Sequence, residues 1–108
     1  MSDIKNLTSQ EQQVAQILKT VIDPEIAVNI IDLGLVYEIT KDEDNKTINV
    51  VMTLSTRGCP LGDVILENAQ VVLESNFPEY KVNVELVWDP VWSPEMITDE
   101  GKKAIEQL

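Results

Sequence analysis

The chain has 108 residues, enough for one domain with a single hydrophobic core. Its 19 acidic and 8 basic residues give a formal net charge of -11, which disfavours binding to nucleic acid and to anionic membrane surfaces. One cysteine and no histidine exclude an internal disulfide, a zinc site made of Cys and His alone, and a Cys-His nucleophile pair within this chain.

The N-terminal segment, Met1 to Asn6, lacks the basic start and apolar stretch of a signal peptide. No later apolar run is long enough to span a bilayer. We therefore expect a cytoplasmic protein with one domain over residues 1–108. The acidic run Asp42-Glu43-Asp44 is interpreted as a solvated hairpin tip rather than a metal site.

The first predicted element is a helix. Thr8 and Glu11 have the spacing of a capping box, and apolar residues at helical spacing follow, which predicts a helix from about Ser9 to Val21. Asp23-Pro24 is expected to end it, because the residue before proline is driven out of the helical region. The segment Glu25 to Asp32 is then predicted to be an extended loop.

Two strands are predicted next. Apolar and polar residues alternate from Leu35 to Thr40, the period of a half-buried strand. The polar segment Lys41 to Lys46 is predicted to turn the chain, and Thr47 to Leu54 returns with apolar residues on one face. These two strands are therefore expected to form a hairpin.

A second helix and a third strand complete the predicted domain. A helical apolar stripe begins at Leu61, and Asn76-Phe77-Pro78 is expected to close that helix. Alternation from Val82 to Trp88 predicts the third strand. Helix-start signals at Ser93-Pro94 and at Thr98-Asp99-Glu100 predict short helical turns in the tail.

The order of these elements predicts the fold class. A helical crossover between the second and third strands should make them parallel, whereas the hairpin makes the first two antiparallel. We therefore expect a two-layer α+β domain, helix-strand-strand-helix-strand with a short helical C-terminal tail. Its three-stranded mixed sheet should carry both helices on one face.

Cys59 lies in Gly58-Cys59-Pro60, where the second predicted strand has ended and the second helix begins. Pro60 suits the first position of a helix, which puts Cys59 at or next to the N-cap. The partial positive charge of a helix N-terminus favours thiolate over thiol and lowers the pKa of a cysteine. The competing interpretation is a small apolar side chain buried under the helix end.

Two acidic segments are expected to lie near Cys59. Asp89 ends the third strand, and parallel strands place their carboxyl ends at one edge of a sheet, where binding residues often lie. Asp23, with Glu25 beside it, lies in the loop after the first helix. The alternative is that Asp23 only terminates a helix and that Asp89-Pro90 is a plain turn.

A thiolate and a few carboxylates are ligands that iron and zinc accept, so Cys59 is the candidate metal or cluster ligand. One cysteine falls short of the four thiolates of a usual iron-sulfur site. A cluster would need thiols from a second copy, a partner or a small-molecule thiol. The same shortage also fits an adaptor that binds no metal.

Trp88 and Trp92 flank Asp89-Pro90-Val91. Tryptophan is enriched at binding hot spots, which makes an aromatic anchor for a partner protein one interpretation. Trp88 continues the apolar stripe of the third strand and is assigned to the core. Trp92 is therefore the candidate for partner binding.

Five motifs of this chain resemble the SufT/PaaD-like (MIP18-type) family of iron-sulfur cluster assembly domains, in order and spacing, over about Val14 to Ala104. They are Asp23-Pro24-Glu25-Ile26, Ile31-Asp32-Leu33-Gly34-Leu35-Val36, Met52-Thr53-Leu54, Gly58-Cys59-Pro60 and Val87-Trp88-Asp89-Pro90. The resemblance is nearest to the stand-alone bacterial SufT-like proteins. The phenylacetate branch adds a cysteine-rich extension that is absent here, and the Cys-x-x-Cys scaffold domain is excluded by the single cysteine.

The resemblance implies a small α+β domain that helps iron-sulfur proteins to mature and is not an enzyme. In that family the cysteine of the Gly-Cys-Pro motif is the reactive or cluster-associated residue, which corresponds to Cys59. The acidic residue of the Asp-Pro-Glu motif corresponds to Asp23. The implied partners are iron-sulfur carrier or scaffold proteins and apo-protein clients. We expect the protein to act as a homodimer or together with a carrier.

The resulting hypothesis is an accessory maturation factor in which Cys59 transiently holds or hands on a cluster or iron, with no permanently bound cofactor. The alternative is a metal-free adaptor that docks apo-protein clients through its acidic surface and the Trp92 tail. A thiol-redox enzyme is the weakest option, because the chain has no resolving cysteine.

Overall fold

The computed structural model describes residues 8–55 and 62–106, which contain three helices and five strands. The helices are α1 (Ser9–Leu18), α2 (Gly62–Asn76) and α3 (Asp99–Glu106). The strands are β1 (Ile22–Asp23), β2 (Val28–Asn29), β3 (Val36–Asp42), β4 (Thr47–Met52) and β5 (Lys81–Leu86), and a 3-10 turn covers Pro94–Met96.

Helix α1 begins at the predicted capping box. The Thr8 hydroxyl accepts the Glu11 N–H at 3.1 Å, and the Glu11 carboxylate accepts the Thr8 N–H at 3.1 Å. The helix ends at Leu18, three residues before the predicted end. The carbonyl of Val21 instead accepts a hydrogen bond from the N–H of Ile30, which draws this residue out of the helix.

The segment predicted to be an extended loop contains a small hairpin. Strands β1 and β2 pair antiparallel across a four-residue turn in which Ala27 has a positive φ of 66°. The Asp23 carboxylate accepts the N–H groups of Glu25 and Ile26 and turns the chain back on itself. The prediction of Glu25 to Asp32 as a simple extended loop is therefore wrong.

The three-stranded sheet has the predicted topology. Its order is β3-β4-β5, with β3 and β4 antiparallel and β4 and β5 parallel. Along β4, Ile48, Val50 and Met52 are fully buried, whereas Asn49 between them is exposed. One face of the sheet is therefore the core face, as the period-2 pattern predicts.

Helices α1 and α2 cover that core face, which confirms the predicted two-layer α+β arrangement. Helix α1 contacts β3 and α2, and α2 contacts β5. The helices contribute Val14 and Leu18 from α1 and Ile65, Ala69 and Leu73 from α2 to one core cluster. Full burial of one such aliphatic side chain stabilises the fold by about 1.5–3 kcal/mol.

The C-terminal tail folds back onto the turns between β2 and β3. The N–H of Thr98 donates to the carbonyl of Asp32 at 2.8 Å. Gly34 has a φ of +78°, and its open side packs directly against Met96. Along the part of the chain that the structure describes, no helix has the length and apolar character needed to cross a membrane.

Candidate functional site

The start of β3 and the ends of β4 and β5 lie side by side, because β3 runs antiparallel and β5 parallel to β4. Two hydrogen bonds extend this alignment past the strands. The Thr53 N–H donates to the Leu35 carbonyl at 2.8 Å, and the Val87 N–H donates to the Met52 carbonyl at 2.9 Å. We call this end of the sheet, residues 35–37, 52–55 and 86–89, the site edge.

The hairpin that carries Asp23 adjoins the site edge through backbone hydrogen bonds. The N–H of Leu35 donates to the carbonyl of Ile30 at 3.1 Å, and the N–H of Ile30 donates to the carbonyl of Val21 at 3.0 Å. This chain of bonds joins Thr53, at the end of β4, to the start of the β1–β2 hairpin. The predicted proximity of Asp23 to Cys59 itself stays a prediction, because Cys59 lies outside the described residues.

Asp23 is almost fully buried, at 3 % exposed. Its Oδ1 atom accepts the N–H of Glu25 at 2.8 Å and the N–H of Ile26 at 3.3 Å. The carboxylate therefore fixes the turn after Pro24, as an Asx turn does. Glu25 is exposed on that turn.

Cys59 lies outside the described residues, so its roles as activated thiol and as metal or cluster ligand stay predictions. The two ends of its segment are placed by Ser55 and Gly62. Gly62 packs so closely on Leu54 that a Cβ atom there would lie 2.6 Å from a Leu54 methyl carbon. The chain thus leaves β4 and enters α2 at the same point of the site edge.

No group of three or more His, Cys, Asp or Glu side chains within residues 8–55 and 62–106 has an arrangement that could hold a metal ion.

Tyr37 lies at the site edge beneath the start of the C-terminal tail. Its hydroxyl donates to the carbonyl of Pro90 at 2.7 Å, and the peptide bond between Asp89 and Pro90 is cis. Burial raises the pKa of the Tyr37 phenol above its ordinary value, the hydroxyl of Thr53 partly offsets this rise, and the Asp89 carboxylate adds to it. Tyr37, Thr53 and Asp89 therefore share one electrostatic environment.

This environment predicts how stability depends on alkaline pH. The folded state keeps the Tyr37 phenol protonated at pH values above its ordinary pKa of 10.0. The raised pKa of Tyr37 therefore contributes fully to the free energy of unfolding below pH 10, and this contribution is lost as pH rises through the pKa of the folded state. Urea unfolding should show a larger loss between pH 9 and pH 11 for the parent protein than for Tyr37→Phe. Equal losses in the two proteins would contradict the assignment.

Thr53 places a buried hydroxyl group at the site edge. Its side chain is fully buried, and its Oγ1 atom, although close enough to the Tyr37 phenol to lower the pKa of that group, forms no hydrogen bond of ordinary geometry with any described residue. A buried hydroxyl without such a bond costs about 1–3 kcal/mol. The sequence marks Thr53 only as part of the Met52-Thr53-Leu54 motif, and no local pattern indicates an unsatisfied hydroxyl.

We expect Thr53→Val to raise the free energy of unfolding by about 1 kcal/mol, because valine has nearly the same shape and removes a buried hydroxyl that has no partner among the described residues. Urea denaturation measures this directly. Thr53→Ser is the control, since it keeps a hydroxyl and should give no gain. A less stable Thr53→Val variant would show that the hydroxyl is satisfied in the protein.

The two tryptophans of the tail both pack against the core cluster. The indole N–H of Trp92 donates to the carbonyl of Leu33 at 2.7 Å, which ties the tail to the turn before β3. Its partner-binding role stays a prediction. The neighbouring Val91 is 77 % exposed, so the apolar surface that this part of the tail presents outward is Val91.

A set of side-chain hydrogen bonds around Asp32 that holds the tail was not predicted from the sequence. The Asp32 carboxylate accepts the Thr98 hydroxyl at 3.1 Å and the side-chain amide of Asn29 at 2.8 Å. Thr98 in turn caps α3, because its hydroxyl accepts the N–H of Gly101 at 3.0 Å. The sequence marked Asp32 only within the Ile-Asp-Leu-Gly motif and Thr98 only as a helix start, and nothing in it joins these two residues, which lie 66 positions apart.

Comparison with known proteins places this geometry in context. A family model described as iron-sulfur cluster assembly protein matches residues 11–86. The chain is 36 % identical over 96 residues to the Fe-S protein maturation auxiliary factor YitW of Bacillus subtilis, covering 88 % of this chain and 92 % of that protein. It is 38 % identical over 86 residues to the Fe-S protein maturation auxiliary factor SufT of Staphylococcus aureus, covering 79 % of this chain and 96 % of that protein.

The fold is also similar to that of a solved structure. A crystal structure of a domain of unknown function, DUF59, from Bacillus anthracis superposes with a TM-score of 0.82 at 39 % sequence identity. The match covers 89 % of this chain and 91 % of that chain. The α+β architecture is thus shared with proteins that are also related in sequence.

Proposed function

Since the chain belongs to the family of iron-sulfur cluster assembly proteins, we propose that it is a cytoplasmic accessory factor that holds or hands on a cluster or iron through the Cys59 thiolate. The cluster is cargo in this proposal. One thiolate cannot complete the ligand set of a cluster, so a second copy, a carrier protein or a small thiol supplies the rest.

The proposal is supported by the position at which the segment containing Cys59 joins the described fold. This segment joins Ser55 to Gly62 at the site edge, where α2 begins. A thiol near the start of a 15-residue helix is favoured in its thiolate form by the partial positive charge there. Thiolate is the form that binds iron.

The surrounding residues have separate roles in this proposal. Asp23 holds the neighbouring turn in shape through Oδ1, and Asp89 adds negative charge at the same edge. The Thr53 hydroxyl, which has no hydrogen-bond partner among the described residues, donates to a sulfide of the cluster in this proposal.

We expect Cys59→Ser to abolish function while the protein folds normally, because serine keeps the shape but is not a thiolate ligand. Complementation of a deletion strain that needs the factor measures function, and circular dichroism with urea unfolding checks the fold. Ser55→Ala is the matched control at the start of the same segment and should complement. Full complementation by Cys59→Ser would contradict the thiolate mechanism.

The second candidate is a metal-free adaptor that docks apo-protein clients to the assembly machinery. In this alternative the adaptor docks clients through its acidic surface, on a chain with a net charge of -11, and through the tail at Trp92, where the neighbouring Val91 is 77 % exposed. Anaerobic reconstitution with iron and sulfide separates the two candidates. A cluster holder gains visible absorption, whereas an adaptor stays colourless.

A further inference from the structure

Strand β5 forms one edge of the sheet, and half of its backbone groups face away from β4. The N–H groups of Lys81 and Val87 donate to carbonyls on the β4 side at 2.8 and 2.9 Å. Alternate residues of a parallel strand bond to the same neighbour, so the odd-numbered residues of β5 face β4. The N–H and C=O groups of Val82, Val84 and Leu86 therefore point to the open edge.

Among the described residues, this edge is open at Val84 and Leu86, whereas Val82 is only 6 % exposed. In the described part of the chain no strand pairs with it, and the side-chain amide of Gln70 donates to the Val82 carbonyl at 2.7 Å. Leu86, near its far end, is 36 % exposed. An exposed row of backbone donors and acceptors is a template for an added strand.

Helix α2 gives this edge a negative charge. The same Gln70 amide that contacts Val82 also donates to the Glu74 carboxylate at 3.0 Å, which brings that carboxylate close to the open edge. Asp63 and Glu67 lie on the same side of the helix, at seven and three residues before Gln70, and are exposed. We call Asp63, Glu67 and Glu74 the acidic flank.

The acidic flank argues against a second copy of the chain at this edge. Helix α2 packs on β5, and strands that pair lie only about 4.8 Å apart, so two copies would bring their acidic flanks against each other. Like charges at such contacts are destabilising. The two copies would also each carry a net charge of -11.

We propose that the open edge of β5 binds an extended, basic segment of a partner protein as an added β-strand. Its backbone exchanges hydrogen bonds with Val84 and Leu86 and replaces the Gln70 bond to Val82. Its side chains alternate between the two faces of the sheet, so Lys or Arg at every second position meets the acidic flank. The identification of the partner as an apo-protein client rests on the proposed function, whereas the addition of a strand to β5 does not depend on it.

A synthetic ten-residue peptide of alternating lysine and valine is the probe. We expect it to slow hydrogen exchange of the Val84 and Leu86 amides at least tenfold, measured by NMR on the labelled Cys59→Ser protein. That variant carries no thiolate, so failure here is independent of the thiolate mechanism. A peptide with N-methylated amides at alternate positions keeps the charge but loses the donors, and should bind at least tenfold more weakly.

Charge variants test the acidic flank. Glu67→Gln/Glu74→Gln should weaken peptide binding about threefold to tenfold, because two exposed ion pairs are lost. Glu43→Gln/Asp44→Asn, at the exposed turn between β3 and β4, removes the same charge and should have less than a twofold effect.

Three results would overturn the proposal. The first is unchanged exchange of the Val84 and Leu86 amides in saturating peptide, and the second is equal binding of the N-methylated peptide. The third is a dimer in sedimentation of the protein alone with both amides already protected, which would assign the edge to a second copy.

Discussion

Gly34→Ala is expected to lower the free energy of unfolding by about 3 kcal/mol and to release the C-terminal tail. A positive φ of +78° costs an alanine about 1–2 kcal/mol. The new Cβ atom would also overlap the carbonyl oxygen of Met96 and lie 2.8 Å from its Cβ atom. Such overpacking against backbone adds about 1–3 kcal/mol.

Gly101→Ala is the matched control for this prediction. Its Cβ atom would meet the Asp32 carbonyl oxygen at 2.8 Å, but its backbone has helical φ and gains about 0.5–1 kcal/mol of helix propensity. Urea unfolding should therefore give a smaller loss than for Gly34→Ala. An unchanged urea midpoint and unchanged Trp92 fluorescence for Gly34→Ala would contradict the packing of the C-terminal tail on Gly34.

Asp23→Ala is expected to lower the free energy of unfolding by about 2–3 kcal/mol. The substitution leaves the N–H groups of Glu25 and Ile26 without their acceptor in a partly buried turn. Asp23→Asn keeps an oxygen at that position and should lose less than about 1 kcal/mol. Chemical denaturation of both variants measures the difference.

The same pair of variants separates the two roles considered for Asp23. If its carboxylate only shapes the turn, Asp23→Asn supports function in a cell that needs the factor, and Asp23→Ala fails in proportion to its lost stability. If the carboxylate is a ligand or tunes the Cys59 thiol, the stable Asp23→Asn variant loses function as well. Equal stability of both variants would contradict the turn-holding role.

Elements with a long periodic pattern could be predicted from the sequence. The alternation from Thr47 onward gave the buried face of β4, and the helical stripe after Gly62 gave α2, because each pattern depends on burial against one continuous core. The parallel pairing of β4 and β5 followed from the helix between them.

Short elements and long-range polar contacts could not be predicted in the same way. Strands β1 and β2 have two residues each, too few to show a period. The bonds from Trp92 to Leu33 and from Thr98 to Asp32 join residues 59 and 66 positions apart. Local propensity contains no information on such contacts, so the bond of the Trp92 indole to Leu33 was not predicted.

The site edge was predicted in part. Parallel pairing and the position of Asp89-Pro90 indicated that the ends of β4 and β5 meet, and the structure adds Tyr37 as the residue that contacts Pro90. The lack of a hydrogen-bond partner for the Thr53 hydroxyl among residues 8–55 and 62–106 was not foreseen, because the bonding of a buried group depends on every element packed around it.

The central claim is that the Cys59 thiolate holds or hands on a cluster at the site edge, and an anaerobic transfer assay tests it most directly. The protein is reconstituted with iron and sulfide, separated from free reagents and mixed with an apo-protein whose activity returns when it receives a cluster. The account predicts visible absorption and restored activity with the parent protein, and neither with Cys59→Ser. Equal transfer by Cys59→Ser would contradict it.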